Sequence, residues 1–356
     1  MKKLNLLFIG IAAIVVVLIA GVFALEKQEN NDAKKVVTLY NWGDYIDPTL
    51  LTDFEKETGY KVDYETFDAN EVMVTKIEQG GTGYDLAFPS DYMIARMKKA
   101  GLLEKIDHSK LVGLENIDER FLDLPFDSKN EYSVPYFWGT LGIVYNDKFV
   151  KDGDIRTWKD LFKPEYKNQV MLFDGARETM GLGLWSNGLS SNTKSRDELD
   201  LALYTLKKKL TPNVKAFVAD EMKMYLVQEE APIGVTFSGE AEAAMEDNEH
   251  LHYIIPEGIG NIWFDNIVIP KTAKNPEGAY AFINFMLRPE NAARNSDYVG
   301  YSTPNAEALK LLDKDVRENA TMYPNNEQVK QLETFADLGQ KYLELYNDLF
   351  LEFKMK

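Results

Sequence analysis

An α/β fold in two lobes, each a mostly parallel sheet flanked by helices, is what this sequence predicts, on three grounds. β-Branched runs alternate with segments of helical periodicity over most of the chain. The alternation completes one βαβαβ set and then begins again, and 356 residues exceed what one ordinary core organises. The hydrophobic fraction of 45% is that of a globular protein, despite a formal charge of −17.

The elements follow in order. Val36 to Tyr40 is β-branched and reads as a strand. Asp47-Pro48 then opens a helix, with Asp as the cap and Pro in the first turn; Leu50, Leu51 and Phe54 form its apolar face and Gly59 stops it. Lys61 to Phe67 alternates as a second strand, and Asn70 is expected to cap a helix through Gln79. Tyr84 to Pro89 reads as a third strand, and Asp91 to Ala100 as a helix ended by Gly101. In the second set, strands are expected at Gln169–Phe173, Val214–Val218, Ile233–Phe237 and Asn261–Pro270. Helices are expected at Glu178–Leu184, Leu199–Leu210, Glu221–Glu229, Glu240–Asp247 and Pro276–Leu287. From Glu327 to Phe353, Val329, Leu332, Ala336, Tyr342, Tyr346, Leu349 and Phe353 recur at helical spacing.

The N-terminus sets the compartment. Lys2 and Lys3 precede an uncharged apolar stretch from Leu4 to Leu25, the pattern of an export signal. At about 1.5 Å per residue this stretch would reach roughly 33 Å, enough to span a bilayer core. Cleavage after Ala24 and retention as an anchor are equally compatible with it. Either fate places the rest beyond the cytoplasmic membrane, in the periplasmic space or held at the outer face of the cytoplasmic membrane. With no cysteine, there is no lipoprotein attachment, disulfide framework, thiolate metal site or Cys nucleophile. The acidic balance argues against nucleic acid, which needs a basic face.

In open α/β sheets, ligands sit beyond the carboxyl ends of the strands. Here those ends read Tyr40-Asn41-Trp42-Gly43-Asp44-Tyr45, Ser90-Asp91-Tyr92, Asp174-Gly175-Ala176-Arg177-Glu178 and Ser238-Gly239-Glu240; a further aromatic–acid cluster is Trp263-Phe264-Asp265, and Gly300-Tyr301 follows a helix. Aromatic rings and carboxylates recur together, which suits an elongated organic cation: carboxylates hold ammonium groups, and flat rings wall the apolar linker. A cation over a Trp or Tyr face gains roughly 0.5–2 kcal/mol, and a buried ammonium without a carboxylate costs several kcal/mol. Asp91, Asp174 and Glu240 equally suit helix capping. Stacked rings also suit a sugar.

Other chemistries are weakly signalled. His250 and His252 share a strand face but lack an evident third metal ligand, so no metal site is expected. His108 reads as a loop residue, and there is no Gly-x-Ser-x-Gly elbow. Gly80-Gly81-Thr82-Gly83 lacks the ending of a phosphate loop and reads as a turn. Arg177 stands beside Asp174 and Glu178, where it would pin a carboxylate.

The run YNWGDYIDPTLLTDFEKETGYKVDYETFDANE (40–71) resembles the spermidine/putrescine-binding proteins of polyamine ABC transporters. So do YDLAFPSDY (84–92), SVPYFWGTLGIVYN (133–146), WKDLFKPEYKNQV (158–170), WFDNIVIPKTAKNPEGAYAFINFMLRPE (263–290) and GYSTPNAEA (300–308). The resemblance spans about residues 36–312. It implies a type II periplasmic-binding-protein-like fold with hinge crossings near Trp138–Ile143 and Trp263–Val268 and the ligand in the interlobe cleft. The expected division is 1–31 as signal or anchor and tether, 32–139 with 264–309 as one lobe, and 140–263 with 310–356 as the other.

By that resemblance Trp42, Tyr45, Ser90, Tyr92, Glu178, Phe237, Trp263, Asp265 and Tyr301 look like ligand contacts. Asp265 and Glu178 would pair with ammonium or imino groups, the rings would wall the methylenes, and Ser90 would add a polar contact. Four positions depart from the family pattern. Gly175 replaces an aspartate, Phe237 a tryptophan, Phe335 a glutamine and Gly43 a threonine. Asp174 and Glu240 are the candidates for replacement charge. The resemblance implies a monomeric receptor without cofactor or catalysis, partnered by a polyamine and by the permease of an ABC importer. A receptor for a sugar or another organic cation is the alternative.

Overall fold

The computed structural model describes residues 35–219 and 221–355; the export segment expected at 1–31 lies outside them. Strands β1 (Val36–Trp42), β2 (Lys61–Phe67) and β3 (Leu86–Ala87) run parallel in the order β2-β1-β3. They are joined by α1 (Pro48–Thr58) and α2 (Asn70–Gln79) and followed by α3 (Asp91–Ala100). The α1 signals act as the sequence implies. Asp47 accepts from the Thr49 N–H, Pro48 opens the helix, and Gly59 closes it at a left-handed φ of 76°. Leu50 and Phe54 are fully buried, each contributing about 1.5–3 kcal/mol through removal of apolar surface from water.

β3 is shorter than the six residues expected. The Asp85 side chain, not a strand partner, receives the Thr38 N–H at 2.9 Å, and its other oxygen takes the Lys274 and Asn275 N–H groups at 2.9 and 2.7 Å. A carboxylate thus replaces ladder bonds at one end, and Pro89 has no N–H to donate at the other.

The long strand β4 (Ser133–Asn146) joins the halves. From Ser133 to Thr140 it pairs antiparallel with β9 (Gly260–Val268), which reaches β3 through Ala87 and Val268. From Leu141 onward its partner is β7 (Ile233–Phe237), with β8 (Leu251–Ile254) joining at Ile143. β7 in turn leads to β5 (Val170–Phe173) and β6 (Val214–Val218) by parallel pairing. The strand order is β2-β1-β3-β9-β4-β7-β5-β6, so antiparallel strands sit at the centre of two parallel arrays.

Core membership changes where β4 changes partner. One core gathers Val37, Leu39, Phe54, Phe88, Trp138, Ile262, Phe264 and Phe282. The other gathers Leu141, Ile143, Trp158, Leu172, Leu184, Val235 and Phe353. The second is wrapped by α4 (Ala176–Trp185), α5 (Arg196–Thr205) and the C-terminal helix Gln340–Lys354. Helices α6 (Met222–Val227) and α7 (Ser238–Asp247) cover the face beside β7 and β8. Helices α8 (Pro276–Met286) and α9 (Pro289–Val299) complete the first half.

The tail departs from its expected helical spacing. A short helix, Asn326–Val329, is followed by strand β10 (Leu332–Glu333), which pairs with β9, and helix resumes only at Gln340. The cause is Glu333. Its carboxylate accepts from the Ser191 N–H and hydroxyl, both at 2.6 Å, and from the Ser190 hydroxyl at 2.5 Å. Those bonds outweigh the helix, and Gly339 at φ 79° turns the chain into the last helix.

Candidate functional site

Asp265 sits at the middle of β9, opposite Phe137 of β4, and is 5% exposed. Tyr45, carried by the turn after β1, donates its hydroxyl to Asp265 Oδ2 at 2.7 Å. Ser90 is bridged to Asp265 through the backbone and favours its charged form from alongside. At Oδ1, however, no donor among the described residues completes a hydrogen bond. Burial raises the Asp265 carboxyl to about 6, because an unpaired charge is costly away from water. The indole N–H of Trp263, two residues earlier on the same face of β9, is likewise buried without a partner.

Rings surround these two orphans. Tyr301 packs edge-on to both Trp263 and Tyr45, at 5.3 and 5.6 Å between centroids. Phe237 closes the other side of Trp263 at 6.2 Å and meets Phe173 at 4.9 Å. Glycines make this approach possible. A Cβ on Gly139 would lie 2.6 Å from the Trp263 ring, and one on Gly239 would lie 2.2 Å from the Tyr301 ring. Trp42 is held against Phe67 and donates its indole N–H to the Phe88 carbonyl at 2.9 Å. It packs with the first core, as do Tyr301 and Trp263.

Asn70 does not cap α2 as expected; Ala69 holds that position. The Asn70 side chain turns inward instead, giving its amide N–H to Ser90 Oγ at 3.0 Å and Tyr92 Oη at 3.2 Å. Its carbonyl oxygen accepts from the Ser90 N–H. This network fixes Ser90 and Tyr92. Tyr92 packs against both cores, and burial with the charges of Glu71 and Glu178 pushes its hydroxyl well above the usual range.

Asp91 is 1% exposed and accepts from the Tyr92 N–H at 2.6 Å and the Phe264 N–H at 3.3 Å. Burial first, and the nearby Asp265 charge after it, raise its carboxyl to about 8. The helix-start reading of Asp91 therefore omitted its tie to β9.

Glu178 lies in the first turn of α4, half-buried, with its carboxyl raised mainly by burial. A Cβ on Gly175 would lie 2.1 Å from Glu178 Oε2, so the missing side chain at 175 is what lets this carboxylate fold back. Arg177 forms no ion pair with Asp174 or Glu178, contrary to expectation. It donates to the Ser191 carbonyl, the Ala336 carbonyl and Asn192 Oδ1, and stacks on Phe335 at 4.5 Å. Glu178 and Tyr92 line a cavity of about 440 Å³ with Phe335, at the junction of the two cores. Asp174 points elsewhere, pairing with Lys354 at 2.6 Å, and Glu240 is half-buried in the first turn of α7.

His250 and His252 do converge, on the two oxygens of Asp147 at 2.8 and 3.0 Å. Among the described residues no group of three or more His, Cys, Asp or Glu is arranged to hold a metal. No helix of the described residues is long and apolar enough to cross a membrane.

Sequence reading took Asn70 for a cap, left Asp91 between a cap and a site acid, and passed over Glu71. The signal was present in Asn70-Glu71 and Ser90-Asp91-Tyr92 as polar groups at successive strand ends. Only the fold shows that they meet.

Two sheets sharing one long strand, with rings and a buried acid where they join, define a hinged receptor that takes a small solute between lobes. Residues 49–325 match the family model described as bacterial extracellular solute-binding protein, and the chain belongs to that family. It is 40% identical over 333 residues to the spermidine/putrescine-binding periplasmic protein of Escherichia coli K12, covering 92% of this chain and 94% of that protein. The putrescine-binding periplasmic protein PotF of the same organism is 33% identical, at 82% and 84% coverage. The crystal structure of the spermidine/putrescine ABC transporter substrate-binding protein PotD from Streptococcus pneumoniae superposes with a TM-score of 0.85. It is 56% identical, covering 90% of this chain and 99% of that one.

Proposed function

We propose that this protein is an exported receptor that captures spermidine or putrescine between its lobes and delivers it to an ABC importer in the membrane. The observation that carries the reading is Asp265: a buried carboxylate with one unpartnered oxygen, set among Trp263, Tyr45 and Tyr301. An acid this deep is costly unless a cation joins it, and the rings match a flat apolar linker on either side of that cation. The polyamine names of its relatives support the same reading.

In this reading Asp265 takes an internal or terminal amine, and Trp42, Tyr45, Tyr92, Phe237, Trp263 and Tyr301 wall the chain. Ser90 adds a polar contact and Glu178 meets the far ammonium from the other lobe. The lobes, divided as 32–139 with 264–309 and 140–263 with 310–356, close because the ligand makes more contacts in the closed form. No step of this cycle needs bond chemistry, so the residues act by binding alone.

Calorimetry on the purified protein tests it. Spermidine or putrescine should bind tightly with one site, and maltose should not bind. Stabilisation in a thermal scan should follow ligand concentration by mass action. Native mass spectrometry of the protein as purified should show a retained amine. Binding of maltose without binding of either amine would overturn the reading.

A further inference from the structure

Glu71 has no role in the reading above, yet it stands at the mouth of the same cavity. It lies in the first turn of α2, on the first core, and accepts from the Tyr92 hydroxyl at 3.3 Å. Glu178 reaches the cavity from α4, on the second core. Both carboxylates flank the Tyr92 hydroxyl, and each lines the same space between the cores.

The surrounding cations compensate this pair only in part: Arg177 favours the charged form of Glu178 through space but makes no direct ion pair with it. Arg177 is committed to the tail and to the 191–192 loop through its hydrogen bonds, and its guanidinium is stacked on Phe335 and Tyr346. Arg96, one turn beyond Tyr92 on α3, also lines the cavity. Glu344 of the C-terminal helix adds a further negative charge to the wall.

We propose that Glu71 and Glu178 form a like-charge pair across the cleft, one from each half, which a ligand ammonium bridges and which resists closure when the cleft is empty. The proposal rests on the polyamine reading for the identity of the cation. Glu71 then serves two ends: it is a contact for the outermost ammonium, and it penalises closing on nothing. A bridging primary ammonium carries three N–H donors, enough for Glu71, Glu178 and the Tyr92 oxygen together. Because Glu71 is exposed, the repulsion is screened by salt and the effect is moderate.

The experiment pairs binding with small-angle scattering on the purified protein. In Glu71→Gln, spermidine affinity should fall by about three- to tenfold, and the empty protein should become more compact than wild type at low salt. Raising the ionic strength should compact the empty wild type but leave the empty variant unchanged. Glu71→Lys brings its own ammonium to the pair, so the empty form should already be compact and should respond little to added spermidine. A purely structural Glu71 would give none of these scattering changes. Unchanged affinity together with unchanged scattering in Glu71→Gln would overturn the proposal. If wild type binds no polyamine at all, the functional reading fails, while the salt and Glu71→Lys arms still decide whether the pair resists closure.

Discussion

The two sides of the cleft are built differently. On the first core the groups are locked. Tyr45 is bonded to Asp265, Trp42 to the Phe88 carbonyl, and Asn70 to both Ser90 and Tyr92. On the second core fewer such bonds hold the facing groups: Glu178 sits on a helix first turn, folded back over Gly175, and Phe237 at a strand end. Preorganised polar groups bind without paying to be ordered, whereas loose ones do so on contact. In the proposed cycle the first side would hold the ligand and the second would close over it.

Removing Asp265 should expose this contrast most strongly. Asp265→Ala should weaken polyamine binding by about 100-fold or more, since breaking a buried charge pair costs 2–5 kcal/mol. Glu178→Gln should cost only about tenfold by calorimetry, because the amide oxygen still accepts from the ammonium, whereas Asp265→Ala leaves it nothing. Equal losses in the two variants would erase the distinction between the sides. Gly239→Ala should come next: its Cβ meets the Tyr301 ring, so binding should weaken several-fold with a small drop in Tm.

A last test concerns pH and probes the buried acids of the first side. Asp91 and Asp265 have carboxyls raised in the folded state, to about 8 and about 6, so the folded protein holds protons that the unfolded chain releases. Their contribution is therefore most favourable near pH 4 and declines as pH rises toward 8. The empty protein should melt higher at pH 5.5 than at pH 8.5, and Asp91→Asn should flatten that slope. Affinity should move the other way, falling as pH drops through about 6 and Asp265 takes up a proton. A melting temperature independent of pH in this range would contradict the burial of both acids as ionisable groups.

Much of this was legible in the sequence, and the reasons are local. Asp47-Pro48 and Gly59 bound α1 because capping depends on neighbours in the chain. The strand-end position of Trp42 could be read for the same reason, and Trp263 and Asp265 stood out as an aromatic–acid cluster within a strand. What escaped was set by distant partners. Glu333 breaks the tail helix because Ser190 and Ser191 wait for it. Asn70 abandons its capping place because Ser90 and Tyr92 are nearer. Arg177 turns from its neighbouring acids to carbonyls far along the chain. Hydrogen bonds between residues remote in sequence leave no periodic trace.

The seat of β9 between β3 and β4 governs when the molecule can finish folding. Residues 36–138 alone would leave β3 with an open edge and Asp265 absent from Tyr45. The first half must wait for the chain to return some 130 residues later, a slow, long-range closure. For an exported chain such a requirement would keep its earliest segment open until its central strand partner has been added.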